Sequence, residues 1–303
     1  MIELMNQEGL EFLSKIPSNS VDLILTDPPY VISKDTGMDK FAKKVEQFKK
    51  QGVAAKTDQE FEEYRDNTDW HQFFRKKKIP ISDWCPKLVE YRAGYLEYGS
   101  IYGKKYAVKT QFGDWDINFT MEQLESFISE FYRVLKDGGT CIVFFDVWKI
   151  TPLKLMMESS RFKGIRLVEW LKTNPLPINQ SVNYLSNCRE VALLGVKKGK
   201  PTFNSKYDNG VYELPLASSK DKIHSTQKSV RLFDNLIEKH SNEGDVVLDS
   251  FAGSATTAIS CINTNRKFIG CEVDEDYYAK SLDRIENAIN NRKKKDKINA
   301  ING

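Results

Sequence analysis

The chain has 303 residues, 40% of them hydrophobic and 29% charged, with a formal net charge of +3. That length suits one large α/β domain or two small ones, and a charge so near balance neither requires nor opposes a nucleic-acid partner. Five cysteines, at 85, 141, 188, 261 and 271, have no paired spacing, which excludes a zinc site or a disulfide scaffold and suits a reducing cytoplasm. No run approaches the ~20 apolar residues of a membrane span, and Met1-Ile2-Glu3-Leu4 lacks the basic start of a signal peptide.

Residues 2–5 read as a short strand, and Gln7–Ile16 as a helix with Leu10, Phe12, Leu13 and Ile16 apolar. Pro17-Ser18-Asn19-Ser20 then turns into an apolar run, Val21–Thr26, that reads as a buried strand. The strand stops at Asp27-Pro28-Pro29-Tyr30, because two prolines fix φ and carry no N–H. A carboxylate and an aromatic are thereby held at the carboxyl end of a strand, where open α/β sheets bind ligands. The plain alternative is a rigid turn with a capping aspartate.

Residues 31–112 interrupt the α/β pattern. Lys, Glu, Gln and Asp dominate 38–70; Trp70, Phe73 and Phe74 then stand beside Arg75, Lys76, Lys77 and Lys78, and Tyr91, Tyr95, Tyr98, Tyr102 and Tyr106 interleave with Lys104 and Lys105. Such a mixture can grip phosphates and stack on bases; equally, it can be a polar helical insertion with a small aromatic core.

The pattern resumes after Gly113-Asp114-Trp115-Asp116. Thr120 and Gln123 have capping-box spacing, and Leu124, Phe127, Ile128, Phe131, Tyr132 and Leu135 mark one helical face that Lys136-Asp137-Gly138-Gly139 should end. Thr140–Phe145 reads as a strand, Ile150–Ser159 as a helix, Ile165–Leu171 and Glu190–Val196 as strands, and 197–221 as loops carrying Lys197, Lys198 and Lys200.

Asp245–Asp249 is a buried strand, and Ser250-Phe251-Ala252-Gly253-Ser254-Ala255-Thr256-Thr257 is a small-residue turn into a helix. Lys267–Cys271 is the next strand, with Glu272 at its end, 19 positions after Gly253. Small residues let a ligand approach the backbone, a helix N-terminus offers N–H groups, and a carboxylate about twenty residues on can accept ribose hydroxyls. Upstream, His224-Ser225-Thr226-Gln227-Lys228-Ser229 leads into a helix with Leu232, Phe233, Leu236 and Ile237 on one face. The Lys-rich run 291–303 reads as a frayed basic tail.

Together these stretches resemble the β-group of DNA amino-methyltransferases, which modify adenine N6 or cytosine N4 and carry the catalytic motif ahead of the cofactor motifs. Asp27-Pro28-Pro29-Tyr30 is similar to the family's catalytic motif. His224–Ser229 is similar to its His-Pro-Thr-Gln-Lys-Pro segment, departing at Ser225 and Ser229. Asp249–Ala255 resembles its Asp…Phe-x-Gly-Ser-Gly turn, departing at Ala255, and Asp114-Trp115-Asp116 and Asn174-Pro175 resemble further family elements.

The resemblance implies a Rossmann-like α/β fold: a mostly parallel seven-stranded sheet with one antiparallel strand and circularly permuted motif order. Residues 1–30 and 113–290 would form the catalytic domain, and 31–112 an insertion longer than the family's norm. It implies S-adenosylmethionine (SAM) as cofactor, with Phe251, Ala252, Gly253, Ser254, Thr256 and Thr257 forming its loop. Asp249 would reach the methionine amino group, Glu272 the ribose, and Thr226 or Lys228, near His224, the carboxylate. Asp27 and the Pro28 carbonyl would accept hydrogen bonds from the target –NH₂, stabilising charge that builds on nitrogen. Tyr30, beyond Pro29, would stack on the flipped base, worth roughly 1–3 kcal/mol. An aspartate leading the motif favours adenine; cytosine N4, or a catalytically silent DNA-binding subunit, are the alternatives. DNA is the implied partner, with Arg75–Lys78, Lys104, Lys105, Lys197 and Lys198 as candidate phosphate contacts and 31–112 or 173–221 reading the target. A homodimer and a cognate restriction endonuclease are further implied partners.

Overall fold

The computed structural model describes residues 1–30, 56–98, 119–175, 187–216 and 227–302. The chain divides into two compact units, residues 1–31 with 113–303, and residues 32–112.

The first unit opens with β1 (Ile2–Asn6), α1 (Gly9–Lys15) and β2 (Val21–Thr26). The second unit contains α2 (Asp58–Asp66), α3 (Trp70–Lys76) and α4 (Trp84–Tyr98). Thr57 and Glu60 cap α2 reciprocally, and Asp69 caps α3. Rings hold these helices together: Tyr64 stacks on Tyr95 with centroids 5.0 Å apart, Trp70 on Tyr91 at 6.1 Å, and Phe61 and Phe74 are buried. Phe61 and Phe74 are the buried centre of this cluster with Trp70, Tyr91 and Tyr95 half-buried around them, and the basic run Arg75–Lys78 stays exposed at the end of α3.

The first unit resumes with α5 (Met121–Val134), β3 (Leu135–Phe145), α6 (Ile150–Ser159), β4 (Lys163–Lys172), β5 (Arg189–Val196) and β6 (Val211–Leu214). It ends with α7 (Val230–His240), β7 (Val246–Asp249), α8 (Thr256–Thr264), β8 (Lys267–Glu272) and α9 (Glu275–Asn302). The strands form one sheet in the order β1-β8-β7-β2-β3-β5-β4-β6. All neighbours are parallel except β5, which runs against both β3 and β4. Helices cover both faces. Phe12, Phe127, Ile128, Phe131, Leu153 and Met157 fill one side; Phe233, Leu236, Ile237, Ala258, Ile259 and Ile285 fill the other.

Three expectations change. The sheet has eight strands among the described residues rather than seven, because β6 forms in a stretch without strand signals of its own and pairs with β4 at the edge. The α5 helix ends at Val134, and Lys136–Gly139 belong to β3. They bulge out between two register pairs, Val21 with Leu135 and Leu23 with Thr140. Gly138 sits there at φ +84°, its N–H donating to the Lys197 carbonyl at 2.6 Å, and a Cβ would lie 2.7 Å from the Lys200 carbonyl oxygen. Finally, α9 continues through 291–302, so that Lys-rich stretch is helical.

Candidate active site

A parallel sheet delivers its strand ends to one rim. Here the carboxyl ends of β1, β8, β7, β2, β3, β4 and β6 share it with the amino end of the reversed β5. Asp27–Tyr30 leave β2 at this rim, and Ser250–Ala255 leave β7 beside it. The two are tied directly: Thr26 Oγ1 donates to Asp249 Oδ1 at 2.6 Å.

Asp249 organises the small-residue loop. Besides Thr26, it accepts from the Phe251 N–H at 3.0 Å and from Thr257 Oγ1 at 2.6 Å. Burial lifts its pKa to about 6, against those three donors. Both oxygens thus serve the fold of the loop, a role distinct from the contact with a methionine amino group that the resemblance implies. Phe251 packs on Phe127, centroids 4.5 Å apart, and on Phe119. Ala252 N–H donates to the Cys271 carbonyl at 3.0 Å, and Ser281 Oγ holds the Gly253 carbonyl at 2.6 Å. Ser254 Oγ and Thr256 Oγ1 lie 3.2 Å apart, and Arg284 donates to the Ser254 carbonyl. Gly253 has φ +51°, and a Cβ there would meet only the Phe251 carbonyl oxygen, at 3.9 Å, so the loop keeps an open approach to its backbone. Glu272, its pKa raised by burial, accepts from the Gly253 N–H at 2.7 Å and the Asp274 N–H at 2.9 Å.

Position 255, where the family motif carries glycine, holds Ala255 in the left-handed region, φ +56° and ψ +33°, immediately before α8. The departure is therefore a backbone matter: alanine occupies a conformation that glycine adopts freely.

Lys228 lies at Asp27-Pro28-Pro29-Tyr30. Its Nζ is 2.7 Å from Asp27 Oδ2 and 2.6 Å from Glu190 Oε2, and it sits over the Tyr30 and Phe144 rings at 5.6 Å each. Burial opposes its charge, but the two carboxylates outweigh burial and hold its pKa well above the usual lysine value. Burial raises the Asp27 pKa against the pull of Lys228, with Glu190 adding to the rise. Tyr30 packs edge-on against Phe145, centroids 5.7 Å apart, and burial pushes its hydroxyl pKa up. Asp27 Oδ1, Tyr30 Oη, Gln7 Nε2 and Ser250 Oγ are buried with no hydrogen-bond partner among the described residues. All four follow the carboxyl ends of β2, β1 or β7, a polar lining that suits a polar ligand.

Two basic candidates move away from this site. Because β5 is reversed, its far end lies at the opposite, amino rim: Val196 pairs with Thr140, the residue just after the β3 bulge. Lys197 is only 5% exposed, with Nζ bonded to Asn19 Oδ1 at 2.7 Å and the Leu135 carbonyl at 2.8 Å, so it is a structural residue and not a phosphate contact. Lys198 faces Asp137 at 3.8 Å on that same rim. His224, Thr226, Lys104, Lys105 and Asp114–Asp116 lie outside the described residues. Three rim residues escaped sequence reasoning. Thr26 hides inside an apolar run, Glu190 needs the direction of β5 to be placed, and Trp148, 88% exposed just beyond β3, carries no motif.

Comparison with known proteins gives a consistent answer. Residues 21–283 match the N6/N4 family described as DNA methylase. The type II methyltransferase M2.DpnII of Streptococcus pneumoniae is 30% identical over 193 residues, covering 57% of this chain and 72% of that protein. The DNA adenine methyltransferase YhdJ of Escherichia coli is 26% identical over 295 residues, covering 93% and 82%. Among solved structures, the complex of M1.HpyAVI with SAM superposes with a TM-score of 0.54 at 19% identity, covering 94% of this chain and all of that one, a likeness of fold.

Proposed function

The chain belongs to the N6/N4 DNA methylase family, matched over residues 21–283, a SAM-dependent family acting on DNA, and from that footing we propose that it methylates N6 of adenine in a base turned out of the duplex. The observation that supports this most is the Thr26–Asp249 bond, which fixes the strand end bearing Asp27 against the loop that suits the cofactor. Adenine as target is supported by the aspartate leading Asp27-Pro28-Pro29-Tyr30 and by the likeness to an adenine methyltransferase.

Three features support the loop as the cofactor's place: Gly253 leaves its backbone approachable, Glu272 beside it is a carboxylate of the kind that accepts from ribose hydroxyls, and among the described residues Gln7 Nε2 and Ser250 Oγ have no hydrogen-bond partner. Bound there, SAM would supply an electrophilic methyl on a sulfonium, whose C–S electron pair would remain with sulfur when the methyl passes to the amino nitrogen. The chain's residues act on the nitrogen. Asp27 Oδ1 and the Pro28 carbonyl accept its two hydrogens, aim the lone pair and stabilise the growing charge. The surplus proton then leaves through the Asp27 carboxylate to water. Tyr30 stacks on the base.

Target reading falls to 31–112 and to the connections that meet the carboxyl rim, 173–188 and 215–229, with Arg75–Lys78 holding phosphates. Lys198 and the 197–210 connection face the opposite rim, so they drop out of this assignment. A cognate restriction endonuclease is supported by the type II designation of M2.DpnII; a homodimer rests on the resemblance alone, and light scattering of the purified protein tests it.

The test is nucleoside mass spectrometry of unmethylated genomic DNA incubated with the protein and SAM. N6-methyladenine is expected. N4-methylcytosine alone overturns the substrate assignment, and no methylated base at all favours a silent DNA-binding subunit. Asp27→Ala should abolish methylation and leave SAM affinity within about threefold; sustained turnover removes Asp27 from the chemistry.

A further inference from the structure

A row of four charges crosses the carboxyl rim. Lys172 Nζ lies 2.6 Å from Glu190 Oε1, Glu190 Oε2 lies 2.6 Å from Lys228 Nζ, and Lys228 Nζ lies 2.7 Å from Asp27 Oδ2. The four come from the end of β4, the start of β5, the segment before α7 and the end of β2. Their side chains keep only 14, 19, 7 and 22% of their exposure. Two cations alternate with two carboxylates, so the row is neutral as a whole, the condition under which buried charge is tolerable.

We propose that Glu190 is a positioning residue for methyl transfer: it holds Lys228 between two carboxylates, so that Lys228 engages one oxygen of Asp27 and leaves the other for the amino group of the target base. This rests on the reading of Asp27 given above.

The geometry explains why Lys228 needs a second anion. An ammonium has three N–H donors and, facing a lone carboxylate in a poorly solvated site, moves to satisfy as much of that carboxylate as it can. Asp27 would then be neutralised and covered together, and a covered carboxylate cannot accept the hydrogen of an incoming amine. Glu190 draws Lys228 to the far side. Consistent with this, Asp27 Oδ2 carries the contact with Lys228, and among the described residues Oδ1 is buried with no hydrogen bond of good geometry. Lys172 in turn compensates Glu190: burial alone would raise the Glu190 pKa, but Lys228 and Lys172 outweigh burial and keep it ionised. β5 is the strand that makes this possible. Reversed between β3 and β4, it places its first residues, not its last, at the carboxyl rim.

Among the described residues, the groups that act on Asp27 are Lys228, Glu190 and Tyr30, and Asp27 in turn acts on Asp249. With Glu190 made neutral, Lys228 acts on Asp27 unopposed, so the carboxyl titrates lower. Misplacement of a reacting contact by even an ångström can cost about a hundredfold.

The experiment compares wild type, Glu190→Gln, Glu190→Asp and Asp27→Asn by methyl transfer from labelled SAM to unmethylated genomic DNA, with SAM affinity by calorimetry. Glu190→Gln should lower kcat about 10- to 100-fold, leave SAM affinity within about threefold, and move the acid limb of the kcat–pH profile to lower pH. Glu190→Asp should recover part of kcat. If Asp27→Asn keeps full turnover, the assignment of Asp27 itself fails. If Asp27→Asn is inactive and Glu190→Gln has wild-type kcat and an unmoved profile, Glu190 has no positioning role. A Glu190→Gln variant whose loss lies in SAM affinity makes Glu190 part of the cofactor site and also overturns the proposal. Should Glu190→Gln not fold, Glu190→Asp decides: a lowered kcat with a moved acid limb supports the role, and wild-type behaviour ends it.

Discussion

Thr26 and Asp249, 223 positions apart in sequence, share a 2.6 Å hydrogen bond in the buried floor of the rim. Thr26 is the last residue before Asp27-Pro28-Pro29-Tyr30, and Asp249 the last before the small-residue loop that the proposed function gives to the cofactor. The pairing of β2 with β7 brings the two strand ends together and the hydroxyl adds a direct tie between them, while the same carboxylate holds the loop through the Phe251 N–H and Thr257. Removing the hydroxyl by Thr26→Val should cost about 1–3 kcal/mol, the range for a buried acceptor losing a donor. Urea unfolding measures that loss. Methyl transfer should fall more than SAM affinity does, since the loop keeps its other two donors; equal losses in both would mean that the bond serves the loop alone.

Asp249 also links stability to pH. Its folded-state pKa is raised from 3.8 to about 6, chiefly by burial. A carboxyl whose pKa is raised on folding binds its proton more tightly when folded, so its contribution is most favourable in acid. That contribution declines as pH climbs from about 4 to about 6, then stays flat. A rise of that size corresponds to roughly 3 kcal/mol at most. Other carboxylates titrate in the same window, so the signal is the difference between wild type and Asp249→Asn in unfolding free energy at pH 4.5, 5.5 and 7. The variant should lose the downward slope that Asp249 contributes. Parallel curves would show that Asp249 titrates near its ordinary value.

Alanine at position 255 gives a comparison of two buried alanines. Ala255, at φ +56°, bears the strain of the left-handed region, roughly 1–2 kcal/mol for a residue with a Cβ. Ala255→Gly relieves it and gives back part through chain entropy and lost methyl burial, about 0.4–1 and 0.8 kcal/mol. The net change should lie within about 1 kcal/mol of zero. Ala258, equally buried but inside α8, has no strain to relieve, and Ala258→Gly should cost about 2 kcal/mol from helix propensity plus methyl burial. Thermal unfolding of the two variants side by side reads the difference; equal losses would remove the strain argument.

What the sequence announces and what it hides follow from how local each signal is. Prolines 28 and 29 after an apolar run, or Thr120 with Gln123, act within a few residues, so β2 and the start of α5 are legible. Gly138-Gly139 suits a helix end as well as a bulge, and only the pairing of Leu135 with Val21 decides between them. The four residues of β6 become a strand because β4 offers an edge. The direction of β5 is a fact of the whole sheet, and two placements hang on it. Lys197, in a basic-looking loop, goes to the amino rim and is buried, while Glu190, part of no motif, goes to the carboxyl rim beside Asp27.

Trp148 offers a test of how DNA meets the rim. Asp146 Oδ1 accepts from the Trp148 N–H at 3.0 Å, which sets the 3₁₀ turn Val147–Lys149 just past β3. β3 neighbours β2, and Phe145 at its end touches Tyr30. The indole is 88% exposed and Val147 beside it is 51% exposed, apolar surface that a rim facing only water has no use for. On the proposed function, the space left when a base turns out of the duplex, or the base beside it, offers that indole a stacking partner worth about 1–3 kcal/mol. Trp148→Ala should therefore raise KM for DNA by about 5- to 150-fold while SAM affinity and the melting temperature stay unchanged, because the side chain packs on little of its own protein. Steady-state kinetics on unmethylated genomic DNA measures the first, and calorimetry the rest. An unchanged KM for DNA would place the path of the duplex away from the end of β3.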